Sequence, residues 1–376
     1  MAKFEKKVKS TALIVMLGGF AFDNVEGDLR RSLEAAACDL LNLALEANCF
    51  EYIALGTDKL VEQSVPAGVE LSLDDPNEEF QFGKRLQEIL LQSSCEQFVY
   101  IGSGSAPLFG VNDLIDLKEK LNSKDLTCIT NNYFSADLFA LNSCSAFSQL
   151  SQIPKTDNEV PRSLKEELDV RIEELPRNTI TQFNIDSPLD LLVLDCASAG
   201  GPLLRESIAK WHGKSYFLSD AAQVLKDSNK QIFVSGRVSS RTWQYLEKET
   251  ACRVRVLSEE RGMSAAGHFG IARARSLLGQ VIESVGPDQC FMEWIPMLCD
   301  AAFIDIRPVL AHLQWETSTE DRFNADLLKY HEIKHSSLKN LVKAASNSPV
   351  PVIIGGHSLV SGDLMLLNDW VWSIEE

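Results

Sequence analysis

At 376 residues the chain is too long for one ordinary hydrophobic core, and a typical domain size predicts two domains. Its 53 acidic against 36 basic residues, a net charge of -17, argue against general affinity for nucleic acid or an anionic membrane, though a local basic site stays open. Nine cysteines are scattered singly, with no Cys-x-x-Cys pair, which reads as reduced thiols of a cytoplasmic protein and offers no zinc site.

Lys3, Lys6, Lys7 and Lys9 precede an apolar run over residues 11–22, much as in a secretory leader. The run is interrupted by Gly18 and Gly19, lacks an Ala-x-Ala pattern and leads into an acidic amphipathic stretch. A first strand and loop are therefore expected there, with residues 12–17 as an interior strand buried on both faces of a parallel sheet. No stretch is long enough to span a bilayer.

Helical spacing over residues 28–47 predicts a crossover helix, and residues 52–55 a second strand. An amphipathic helix over residues 82–91 then leads into an apolar burst at 98–101, predicted to be a second interior strand. That burst stops at Gly102, Ser103, Gly104, Ser105 and Pro107, and another helical pattern begins at Asn112. The strand at 127–130 gives way at once to Asn131, Asn132, Tyr133, Ser135 and Asp137. Two strand ends thus carry small or polar residues, and ligands of open parallel sheets sit outside such carboxyl ends.

Residues 151–177, polar and interrupted by Pro154, Pro161 and Pro176, read as a lid or peripheral insertion with one short helix. Residues 179–183 read as an outer strand, followed by a helix begun at Pro188 and capped by Ser187 or Asp186. A first domain is placed at 1–199 and a second α/β domain at 200–376. In the second, residues 232–234, 253–257, 307–313 and 350–354 are the strand candidates, with a helix at 239–249 and others through Leu277 and Leu298.

Three segments carry a family resemblance: Phe82-Gly83-x-Arg85-Leu86, Tyr100-Ile101-Gly102-Ser103-Gly104-Ser105-Ala106-Pro107-Leu108, and Asn184-Ile185-Asp186-Ser187-Pro188-Leu189-Asp190-Leu191. Over residues 10–198 the chain resembles the nucleotidyltransferases of glycosyltransferase-A type, nearest to phospholactate guanylyltransferase and molybdenum-cofactor guanylyltransferase. The last segment is similar to the family's D-I-D-T-P-x-D-L. The Gly/Ser loop is similar to its G-D-x-P turn, with Ser103 and Ser105 where an aspartate usually holds the catalytic magnesium.

The resemblance implies a mainly parallel, Rossmann-like sheet domain that transfers NMP from a nucleoside triphosphate to a phosphorylated or acidic small molecule, with Mg²⁺ on the phosphates. Gly18 and Gly19 would meet the nucleotide, and Ser103 and Ser105 its sugar or the metal's water shell, with Asn132 beside them. Asp186, with Asp137 as partner, would hold the metal. Each residue also has a plainer explanation: Gly18 and Gly19 a tight turn, Asp186 a helix cap. A noncatalytic nucleotide- or metabolite-binding protein that has lost the metal turn is the competing expectation.

The second domain resembles nothing recognisable and is read from its residues. Between 236 and 275 it is locally basic, with Arg237, Arg241, Arg253, Arg255, Arg261, Arg273 and Arg275, and arginine forks suit phosphate or carboxylate. Pairing with Glu247, Glu249, Glu259 and Glu260 is the alternative. Arg237, Arg261 and His357 each follow a candidate strand, so an anion site is expected where they converge, with Arg261 and His357 as its catalytic candidates. Asp305, Arg307, His312, Asp321 and Arg322 form a further polar group.

Overall fold

The computed structural model describes residues 9–20, 24–261 and 274–374. Lys3, Lys6, Lys7, Phe22, Gly262, Met263 and Arg273 lie outside them. The chain divides into two compact units. The first comprises the chain up to Gly19, Leu33–Thr181 and Gly201–Leu204, and the second Phe20–Ser32, Gln182–Gly200 and the chain from Arg205 onward.

The first unit holds a seven-stranded sheet: β1 (Thr11–Leu17), β2 (Tyr52–Thr57), β3 (Glu70–Leu73), β4 (Gln97–Gly102), β5 (Thr127–Thr130), β6 (Leu138–Leu141) and β7 (Arg171–Glu174). Their order is β3-β2-β1-β4-β6-β5-β7, with only β6 antiparallel to its neighbours. β1 is buried along its whole length and pairs with β2 on one side and β4 on the other, as its unbroken apolar sequence requires of an interior strand. On one face Phe98, Tyr100 and Phe139 stack on Phe82 and Phe147, with the Tyr100 and Phe139 rings 4.8 Å apart.

The second unit holds a smaller, all-parallel sheet of β8 (Gln231–Gly236), β9 (Arg253–Ser258), β10 (Ala301–Asp305) and β11 (Val352–Gly355), ordered β11-β10-β8-β9. Ala302, Ile304, Val352 and Ile354 pack on Leu338, Leu341 and Val342 of the helix Ser336–Ser346. Mixed and parallel sheets with crossover helices make the chain an α/β protein, as the sequence predicts.

Three expectations fail locally. Residues 179–183 are not a strand: Thr179–Gln182 is a helical turn, because the Asn178 side chain accepts the Thr181 N–H at 3.2 Å and closes the backbone there. Arg307–His312 is a helix as well, started by Pro308, whose ring suits a first helical turn; the strand is the preceding run, Ala301–Asp305. Residues 151–177 contain the expected helix, Val160–Leu168, but also the edge strand β7.

Candidate functional site

In the first unit the chain runs from β1 outward to β2 and β3, then returns to place β4 on the opposite side of β1. The carboxyl ends of β1 and β4 therefore diverge into loops on opposite sides, leaving the crevice where open α/β sheets take their ligands. Met16 is in register with Gly102, and the Ser103 N–H donates to the Met16 carbonyl at 3.0 Å, so the loop after β4 lies against the end of β1. The Ser105 N–H turns back to the Gly102 carbonyl at 2.8 Å. Ser105 is buried, Ser103 half-buried, and Gly18 and Gly19 are exposed. Gly19 has φ +89°, a conformation that L side chains rarely adopt.

Antiparallel β6 begins on the same rim. The Gly102 N–H donates to the Asp137 carbonyl at 2.9 Å, and Asn131 Oδ1 accepts the Asp137 N–H at 3.3 Å. Asn132 follows β5, and its Oδ1 accepts from Arg177 at 3.2 Å. Gly18, Gly19, Ser103, Ser105, Asn132 and Asp137 thus share one rim. Asp58, just past β2, joins them: a Cβ on Gly18 would lie 3.7 Å from its carboxyl carbon. Nothing in the sequence distinguishes Asp58 from any other loop aspartate.

Asp186 falls in the second unit. It is exposed and precedes the helix Pro188–Ala197, whose N-cap is Ser187. The Asp186 and Ser187 N–H groups both donate to Asp190 Oδ2 at 2.6 Å, so Asp190 satisfies this helix start. Asp190 is fully buried and also accepts from Ser358 Oγ at 2.8 Å. Burial and the neighbouring Asp190 carboxylate push the buried Asp363 well above the usual carboxylate range.

The second sheet has its own switch point. β8 is followed by β9 on one side, and β10 returns to its other side. The strand ends are level: Gly355 pairs with Asp305 across β11 and β10, and Gly236 with Ser258 across β8 and β9. Asp305, fully buried, takes Arg237 by two contacts, Nε to Oδ2 at 2.6 Å and Nη2 to Oδ1 at 3.2 Å. Its Oδ1 also accepts the Arg307 N–H at 3.1 Å. Burial works against the Asp305 charge, yet the Arg237 guanidinium holds its carboxyl below the usual range. Arg307 reaches the buried Asp326 at 2.6 Å, and burial raises Asp326 to about 6.

His357, two residues past β11, is pushed down to about 4 by burial, with the Arg237 and Arg261 charges adding and Asp305 opposing. Arg237, Arg261 and His357 are therefore electrostatic neighbours on one rim. Of the further polar group, Asp305 and Arg307 belong to this rim, whereas Asp321 fixes backbone by accepting the Lys334 and His335 N–H groups, and His312 Nδ1 accepts that of Ser276. Asp326 was not legible beforehand: it sits in the polar stretch Thr319–Asp326, where a buried carboxylate looks like an exposed one. Among the described residues no group of three or more His, Cys, Asp or Glu is placed to hold a metal ion.

No family model matches the chain, and no curated protein does. Among solved structures it is similar to a candidate nucleotide-diphospho-sugar transferase from Desulfovibrio desulfuricans G20, at 11% identity over 54% of this chain and 94% of that one, with TM-score 0.39. It is similar to a cytidylyltransferase from Leptospira borgpetersenii serovar Hardjo-bovis, at 13% identity over 54% and 94%, with TM-score 0.35. A third is the CMP:2-keto-3-deoxy-manno-octonic acid synthetase complexed with CTP, at 13% identity over 44% and 90%, with TM-score 0.32. Likeness at these scores carries no argument about activity, which must come from the two rims themselves. All nine cysteines are free thiols, and no described helix is long and apolar enough to cross a membrane.

Proposed function

We propose that the first unit binds a nucleoside triphosphate in the crevice between the ends of β1 and β4, and that the protein is nucleotidyltransferase-like. One observation carries this reading: the glycine pair Gly18–Gly19 and the loop from Gly102 to Ser105 lie side by side at the point where the strand order reverses. Exposed glycines let backbone N–H groups approach phosphate oxygens closely, and the adjacent hydroxyls suit a sugar. In the reaction, an acceptor oxygen would attack the α-phosphorus, the bond to the β-phosphate oxygen would break, and pyrophosphate would leave. Bound magnesium would supply charge neutralisation on the phosphates, with Asp137 as one of the two carboxylates of this rim, beside Asp58, to hold it.

Equilibrium titration with the four ribonucleoside triphosphates, with and without Mg²⁺, tests the reading. Gly19→Val should weaken the preferred nucleotide at least tenfold, because a β-branched residue resists positive φ. Unchanged affinity would sink the site. The neutral Ser103 and buried Ser105 favour a second reading, a binding protein without transferase activity. Nucleotide binding without pyrophosphate release across a panel of phosphorylated and carboxylate acceptors would decide for it.

A further inference from the structure

We propose that the second unit has a ligand site of its own: the crevice where β8 and β10 part binds a phosphoryl group carried by a small molecule. It does not depend on nucleotide binding by the first unit.

Placement is the first argument. The crevice is a topological switch point of a parallel sheet, and each strand of the sheet delivers a donor to its carboxyl end. Arg237 follows β8, Arg261 follows β9, Arg307 follows β10 and His357 follows β11. These donors stand out in a chain of net charge -17, which as a whole repels anions.

The second argument is how the donors are held. Arg237 commits its Nε and Nη2 to the buried Asp305, and Arg307 commits Nη2 to the buried Asp326. Such anchoring fixes each guanidinium in one orientation and leaves its remaining N–H groups for a ligand. Arg307 Nη1 is buried and has no hydrogen-bond partner among the described residues. A buried donor of that kind calls for an explanation, and a ligand oxygen supplies one. Beside it Gly356 leaves room: a Cβ built there would meet nothing nearer than the Arg307 guanidinium at 3.9 Å.

Geometry selects the class of anion. A planar carboxylate is matched best by one guanidinium edge offering two parallel N–H bonds. Here the Nε–Nη2 edge of Arg237 already faces Asp305 and Arg307 Nη2 faces Asp326, so the donors that remain arrive from separate strands and not from one shared edge. Donors from several directions suit the three terminal oxygens of a tetrahedral phosphoryl group. Of the nearby carboxylates, Asp190 is occupied by two backbone N–H groups and the Ser358 hydroxyl, while Asp326, paired to Arg307 through Oδ2, keeps Oδ1 without a partner among the described residues.

The test uses the full chain and inorganic phosphate, followed by calorimetry and ³¹P line broadening, with acetate as the planar control. Phosphate should bind at least tenfold more tightly than acetate. Arg261→Ala, a change at an exposed residue, and His357→Gln should each weaken phosphate at least fivefold, while Gly19→Val leaves phosphate affinity unchanged. Melting temperatures of all variants show whether they fold, and Arg261→Ala alone suffices if His357→Gln does not. The proposal is overturned if phosphate does not bind, if acetate binds as well, if Arg261→Ala folds and binds normally, or if Gly19→Val is the change that abolishes binding. That last result would place phosphate in the first unit and would support the nucleotide reading instead.

Discussion

The two sheets use one topological device with opposite chemistry. At the β1/β4 crevice the chain supplies glycines and hydroxyls, exposed or half-buried except for the buried Ser105. At the β8/β10 crevice it supplies charges, with Asp305 and Asp326 fully buried and each tied to an arginine. A rim of glycines, hydroxyls and carboxylates suits a ligand that brings its own counterion, as a nucleotide with magnesium does, and needs little from the surrounding fold. A rim of buried ion pairs must be built before any ligand arrives, so its residues carry structure as well as recognition. Substitutions at the second rim should therefore unfold the protein more readily than equivalent ones at the first.

The largest effect is expected from Arg237→Ala, which leaves Asp305 buried without its partner. Removing one member of a buried pair costs about 3–5 kcal/mol, and urea denaturation should show a loss of that order. Asp305→Asn in the Arg237→Ala background should recover part of it, because the stranded charge is gone. Gly236→Ala comes next, at about 3 kcal/mol: Gly236 has φ +123°, and a Cβ there would stand 2.4 Å from that of Asp305, forcing β8 and β10 apart. A variant of either kind with wild-type stability would break the contrast between the rims.

Protonation sharpens the contrast within the second unit. Burial raises Asp326 from 3.8 to about 6, so between those values the folded state holds a proton that the unfolded chain has released. Stability from this group therefore falls as pH rises through that window, by about 3 kcal/mol. His357 behaves oppositely: it is lowered from 6.5 to about 4, so its contribution is full above 6.5 and is lost as pH falls. Relative to wild type, Asp326→Asn should gain stability from pH 4 to 6.5, and His357→Gln should lose a similar amount, about 2–3 kcal/mol, over the same range. Parallel slopes in the two difference curves would refute the assignment of both groups.

What was legible in the sequence divides along the same line. Strands buried on both faces announce themselves, and β1 and β4 were readable from residues 12–17 and 98–101 because no polar residue interrupts them. Short edge strands such as β3 and β7, half exposed and polar, carry no such pattern. β-branched residues misled at 179–182, where a single asparagine side chain decides for a turn. Glycine and arginine loops could be located because they follow strands. The buried carboxylates Asp326, Asp190 and Asp363 became apparent only once the fold showed which carboxylates are buried, and burial of a charge is set by distant chain.

The smallest effect tests the open rim. Gly19 has positive φ like Gly236, but a Cβ there would meet nothing within 4 Å. Gly19→Ala should therefore cost only the backbone strain of an L residue at that φ, about 1–2 kcal/mol, with no packing term added. Denaturation of Gly19→Ala and Gly236→Ala side by side isolates the difference, since both substitutions add one methyl at a positive φ. If steric closeness to Asp305 is what distinguishes the rims, Gly236→Ala loses more stability than Gly19→Ala. Equal losses would mean that strain alone governs both positions and that the second crevice is no more tightly built than the first.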